Sequence, residues 1–113
     1  MTVTLYHNPR CSKSRQALEL LRARGVEPVI VEYLKAPPTA DELRRILTLL
    51  GMTPRQLLRA KESAEAGLGD PALDEAGLIA AMVAHPAVIE RPIAVTATAA
   101  RVGRPPERVL EIL

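Results

Sequence analysis

Residues 2–6, TVTLY, are β-branched and apolar, and predict a first strand. Asn8-Pro9 breaks it. From Ser12, apolar Ala17, Leu18, Leu20 and Leu21 recur at helical spacing, and Gly25 supplies a C-terminal stop. VIVEY (29–33) predicts a second strand. Being nearly all apolar, it is expected to be covered on both faces. Strand, helix and strand in this short compass make a βαβ unit, with parallel strands and a right-handed crossover.

After the turn KAPP (35–38), Thr39-Ala40-Asp41-Glu42 is a capping box, opening a helix that ends at Gly51. Thr53-Pro54 caps a further short helix, with Arg59 at its end. ESAEAGLGDP (62–71) reads as loop. Asp74 caps a helix over 75–84, ended by His85-Pro86. RPIAVT (91–96) predicts a third strand, a short fourth follows near 100–103, and ERVLEIL (107–113) a closing helix. This order predicts an α/β fold: a thioredoxin-like (glutaredoxin-like) mixed β-sheet with a helical insertion. The expectation is a single domain over 1–113, with the insert at roughly 39–86.

Composition narrows the chemistry. Two Tyr and no Phe or Trp leave an aliphatic core and little with which to stack on nucleic-acid bases. The formal charge of +2, from 15 Lys+Arg against 13 Asp+Glu, is too small to indicate nucleic acid or a membrane surface. No basic segment precedes a long apolar run, so no signal peptide is expected. AGLIAAMVA (76–84) is too short to span a bilayer. A single cysteine fits a reducing, cytoplasmic setting.

That cysteine, Cys11, sits in YHNPRCSKSR between a strand-ending turn and a helix start. A lone cysteine is often just a small buried hydrophobe. A polar, basic strand–turn–helix junction is a poor place for one. Backbone N–H groups of residues 12–14 would point at its sulfur, and a helix N-terminus favours thiolate. Arg10, Lys13 and Arg15 add positive potential, and Ser12 and Ser14 supply hydroxyls. The same geometry binds a tetrahedral oxyanion. CSKS is not CxxC, so any disulfide or thiolate adduct at Cys11 must be resolved by an external thiol.

Arg91-Pro92 opens the third strand, where proline is tolerated. Arg59, Arg91 and Arg104 are each open to a bland reading as solvated charges, and spacing alone does not make them converge. His7 is either a base or a residue that orients Asn8; the plainer reading is a hydrogen-bonded loop histidine. Two His and one Cys give no metal-ligand spacing, so no metal is expected. No nucleotide-binding glycine motif is present.

YHNPRCSKSR, RQLLRAKE, ERPIAV and GRPPERVLEIL together resemble the glutaredoxin-coupled arsenate reductase (ArsC) family, in particular its short members ending GRPPE…EIL. The resemblance runs over essentially the whole chain. It implies a cis bond before Pro92 and a single catalytic cysteine, matched by Cys11. It implies three arginines that hold the oxyanion and stabilise the thiolate, matched by Arg59, Arg91 and Arg104. His7, Asn8 and Ser14 match positions that tune the cysteine. It further implies arsenate as substrate, glutathione as co-substrate, glutaredoxin as partner, no tightly bound cofactor, and a monomer.

Two other functions fit parts of the pattern. One is a glutathione-dependent thiol reductase or transferase acting on another substrate. The other is an Spx-like redox regulator binding RNA polymerase, but that branch typically carries CxxC, which is absent here.

Overall fold

The computed structural model describes residues 2–113. The chain divides into two compact units, Met1–Ala36 with Arg91–Leu113, and Pro37–Glu90.

The first unit is built on a four-stranded sheet of order β2-β1-β3-β4: β1 (Thr4–Tyr6), β2 (Val29–Val31), β3 (Ile93–Val95) and β4 (Ala100–Val102). The segment between β1 and β2 forms α1 (Ser12–Ala23), and these two strands pair in parallel, as a βαβ unit requires. β3 pairs antiparallel with β1, placing Leu5 opposite Ala94, and β4 folds back antiparallel on β3.

Alternation along the strands sends Val3, Leu5 and Ala94 to one face. There they join Ala17 and Leu21 of α1 and Val109 and Ile112 of the terminal segment in one buried aliphatic cluster. That last segment is a 3-10 helix, Pro106–Ile112, rather than the expected α-helix. A three-residue repeat lines up Pro106, Val109 and Ile112, and these three are the buried ones.

The covered-strand expectation for VIVEY is corrected. β2 is an edge strand, with Val29 55% and Ile30 39% exposed. It also ends at Val31, because Glu32 opens a turn whose carbonyl accepts from the N–H groups of Lys35 and Ala36.

In the second unit the cap signals act as read. α2 (Ala40–Leu50) starts where the Thr39 side chain accepts from the Glu42 N–H, and ends at Gly51 in the left-handed region. α4 (Glu75–Ala84) starts where Asp74 accepts from Gly77 N–H. Two readings change. The Thr53-Pro54 helix is a single 3-10 turn, Arg55–Leu57. Residues expected as loop from 62 onward begin inside α3 (Ala60–Glu65), so Arg59 precedes a helix as its N-cap rather than ending one. Six residues are too few for a periodic signal, and the glycines just beyond masked this one. Arg55 organises the loop that follows, donating to the carbonyls of Leu68 and Asp70 at 3.1 and 3.0 Å.

Gly103, just after β4, is fixed by space. Its N–H donates to the Pro92 carbonyl at 2.8 Å. A Cβ there would lie 2.7 Å from Pro92 Cγ and 2.9 Å from Val109 Cγ1. Gly103→Ala should therefore lower unfolding stability by roughly 1–3 kcal/mol, the usual range for overpacking. Urea unfolding of the two proteins checks this, and an unchanged midpoint would show that Pro92 and Val109 give way freely.

Candidate active site around Cys11

The turn from His7 to Cys11 is braced from several sides. Asn8 Oδ1 accepts from the Arg10 N–H at 3.0 Å, and the Asn8 carbonyl accepts from the Cys11 N–H at 3.0 Å. The Asn8 N–H donates to Ser14 Oγ at 3.2 Å, and Ser14 is fully buried. Arg15 reaches back to the Pro9 carbonyl at 2.9 Å. Asparagine suits this position because its short side chain satisfies backbone two residues on.

Cys11 is thereby held as the N-cap of α1, in extended conformation at φ −90° and ψ 123°. Its thiol is partly exposed. Arg104 Nη2 donates to the sulfur at 3.8 Å, while Arg104 Nε donates to the Arg91 carbonyl at 2.8 Å. Burial pushes the thiol pKa up. The backbone N–H groups of Ser14 and Lys13, followed by the Arg91 guanidinium, pull it down. The donors win, so the pKa falls below that of an ordinary cysteine.

The sequence-nominated residues fall into two groups. Cys11, Asn8, Ser14, Arg91 and Arg104 come together in the first unit. His7 is 6% exposed beside them, and its N–H donates to the Val31 carbonyl at 2.9 Å. Its imidazole pKa is lowered by burial, with Arg15 and Arg22 adding to this and Glu32 opposing it. His7 is thus held toward its neutral form. Ser12 is exposed at the first position of α1. The Arg91-Pro92 bond is cis and Pro92 is buried. Arg59 lies in the second unit, where it donates to Glu62 Oε2 at 3.1 Å and to Glu90 Oε1 at 3.5 Å.

Sequence reasoning missed two features. Gly103 allows Pro92 and the Arg104 turn to approach closely; its place directly before Arg104 in GRPP was the available signal. The cis bond between Arg104 and Pro105 was also missed. Among the described residues, no group of three or more His, Cys, Asp or Glu is placed to hold a metal, and no helix is long and apolar enough to cross a membrane.

What this arrangement can do is favour the thiolate form of Cys11 beside cationic and N–H donors at a helix N-terminus. Fold and site define a thioredoxin-like α/β protein with one cysteine, partly exposed at a helix N-terminus. The model of the ArsC family matches residues 6–112, and the chain belongs to that family. An uncharacterized protein of Escherichia coli, YfgD, is 54% identical, covering 98% of this chain and 96% of its own. An arsenate reductase of Rhizobium meliloti is 48% identical over 100% of this chain and 82% of its own. The solved structure of an arsenate reductase from Vibrio cholerae superposes with a TM-score of 0.95 at 48% identity, covering 100% of this chain and 98% of that one.

Alkylation by iodoacetamide should reach half its limiting rate at a pH below that of an unperturbed thiol. Arg91→Ala should move that midpoint upward, and Arg104→Ala should do the same. Midpoints unchanged in both variants would remove the arginines from any influence on the thiolate.

Proposed function

We propose that this protein reduces arsenate to arsenite through a single nucleophilic cysteine, with electrons from glutathione and recycling by glutaredoxin. The observation that carries this reading is the Cys11 sulfur, facing backbone N–H donors and the Arg104 guanidinium at a helix N-terminus. The substrate is supported by relatives named arsenate reductase at 48% and 45% identity.

Cys11 thiolate attacks As(V), forming an S–As bond and expelling hydroxide, which leaves as water after protonation. The arginines and backbone donors hold the oxyanion and stabilise the charge that develops. Glutathione thiolate then attacks the Cys11 sulfur. The S–As electron pair passes to arsenic, which leaves as As(III), and Cys11 is left as a mixed disulfide with glutathione. Glutaredoxin thiolate takes the glutathione, freeing Cys11 thiolate, and a second glutathione restores glutaredoxin. The sum is arsenate plus two glutathiones giving arsenite, glutathione disulfide and water. With one cysteine in the chain, the mixed disulfide has no internal route to resolution.

Arg91 and Arg104 serve as oxyanion and thiolate ligands in this reading, and Asn8 and Ser14 keep the turn in shape. For Arg59 the role is proposed from the sequence motif alone. The reaction suits a reducing compartment, so we place it in the cytoplasm, carried out by the monomer.

The test is arsenate-dependent NADPH consumption in the presence of glutathione, a glutaredoxin and glutathione reductase. Saturable turnover is expected, with Cys11→Ser at the blank rate and Arg104→Ala down roughly 100-fold in kcat/KM. Turnover retained by Cys11→Ser would end the thiolate mechanism. An inactive wild type whose Cys11 still alkylates near neutral pH would move the assignment to another thiol-dependent reaction.

A further inference from the structure

A concavity lies between the His7–Arg10 turn and the bend after β2. It measures about 200 Å³ and is lined by His7, Asn8 and Arg10 from the turn, and by Glu32, Leu34 and Lys35 from the bend after β2. Its lining carries both signs of charge. Lys35 Nζ lies 3.8 Å from Glu32 Oε1, with Lys35 largely in solvent and Glu32 half-buried, so this long pair holds together only weakly and opens at little cost. His7 forms the floor of the cavity, with its Nδ1 buried and without a hydrogen-bond partner among the described residues.

These features select the ligand. An arsenate or phosphate dianion would meet the Glu32 carboxylate, and a metal cation would meet Arg10 and Lys35. A group bearing carboxylate and ammonium together meets neither objection. The volume suits one amino-acid head rather than a whole peptide. We propose that the cavity receives the γ-glutamyl head of glutathione, its α-carboxylate against Arg10 and Lys35 and its α-ammonium against Glu32. This assignment rests on the glutathione-dependent reaction proposed above.

The reach is adequate. Arg10 lines the cavity and Cys11 is the next residue, about 3.8 Å away between Cα atoms. An extended tripeptide spans roughly 10 Å, so a head seated here leaves the glutathione sulfur able to approach Cys11. Leu34, 44% exposed, gives the cavity an apolar rim against which the rest of the tripeptide can lie.

The decisive experiment uses S-methylglutathione, which cannot react, titrated into the 15N-labelled full-length Cys11→Ser protein. Amide shifts should concentrate at residues 7, 8, 10 and 32–35, and the apparent Kd should rise roughly five-fold when Glu32→Gln and Lys35→Ala are added. Shifts elsewhere, or an unchanged Kd, would overturn the assignment. In the coupled assay the double variant should raise the KM for glutathione by a similar factor, with the KM for arsenate and the Cys11 alkylation midpoint unmoved. A wild type that turns over while the double variant keeps its glutathione KM would sink the cavity and spare the reductase. A wild type without turnover, but with shifts at these residues, would sink the reductase and spare the cavity. A displaced alkylation midpoint would mark Glu32 as acting through the thiol, against the proposal.

Discussion

The guanidinium of Arg104 ties three distant stretches of chain to one point. Its Nε is anchored on the Arg91 carbonyl at the entrance to β3, and its Nη2 reaches the sulfur at the head of α1. Neither contact survives unless the β3–β4 hairpin returns in register. That register depends on Gly103, whose missing side chain lets the returning strand lie against Pro92. The reactive group is therefore a property of tertiary assembly as much as of its own loop.

Burial and donation pull the thiol in opposite directions, and the balance is what makes Cys11 useful. Full exposure would leave an ordinary thiol. Full burial without donors would raise its pKa and silence it. Partial burial, with backbone N–H groups supplied by the helix start and guanidinium groups supplied from across the sheet, gives a thiol whose pKa is lowered and which stays partly exposed. Backbone donors have a further merit: they are fixed by the helix itself and need no ordering when charge develops.

Much of this was legible in single residues. Thr39, Gly51 and Asp74 mark helix ends through local hydrogen bonds, and they do so in the structure. Cys11, Asn8 and Ser14 lie within one turn, so their cooperation is also a local matter. The exposed face of β2 was not legible, because periodicity reports polarity and not rank within a sheet. That rank is decided by Thr4 pairing with Val95, far apart in the chain. The same holds for Arg91 and Arg104, which motif resemblance nominated but spacing could not bring together. The short helix at 60–65 and the 3-10 form of the last segment turn on packing, which short polar stretches do not advertise.

The edge strand β2 carries a consequence for the protein's behaviour in concentrated solution. The N–H of Val29 and the carbonyl of Val31 face β1, so Ile30 turns its own amide groups outward. A bare strand edge with valine and isoleucine exposed is a template for another chain. Here the template is one residue long. Pro28, with no N–H to offer, precedes it, and the bend at Glu32 closes it on the other side. A neighbouring molecule can make one pair of backbone bonds at Ile30 and no ladder, so this border of the sheet gives a growing fibre almost nothing to extend.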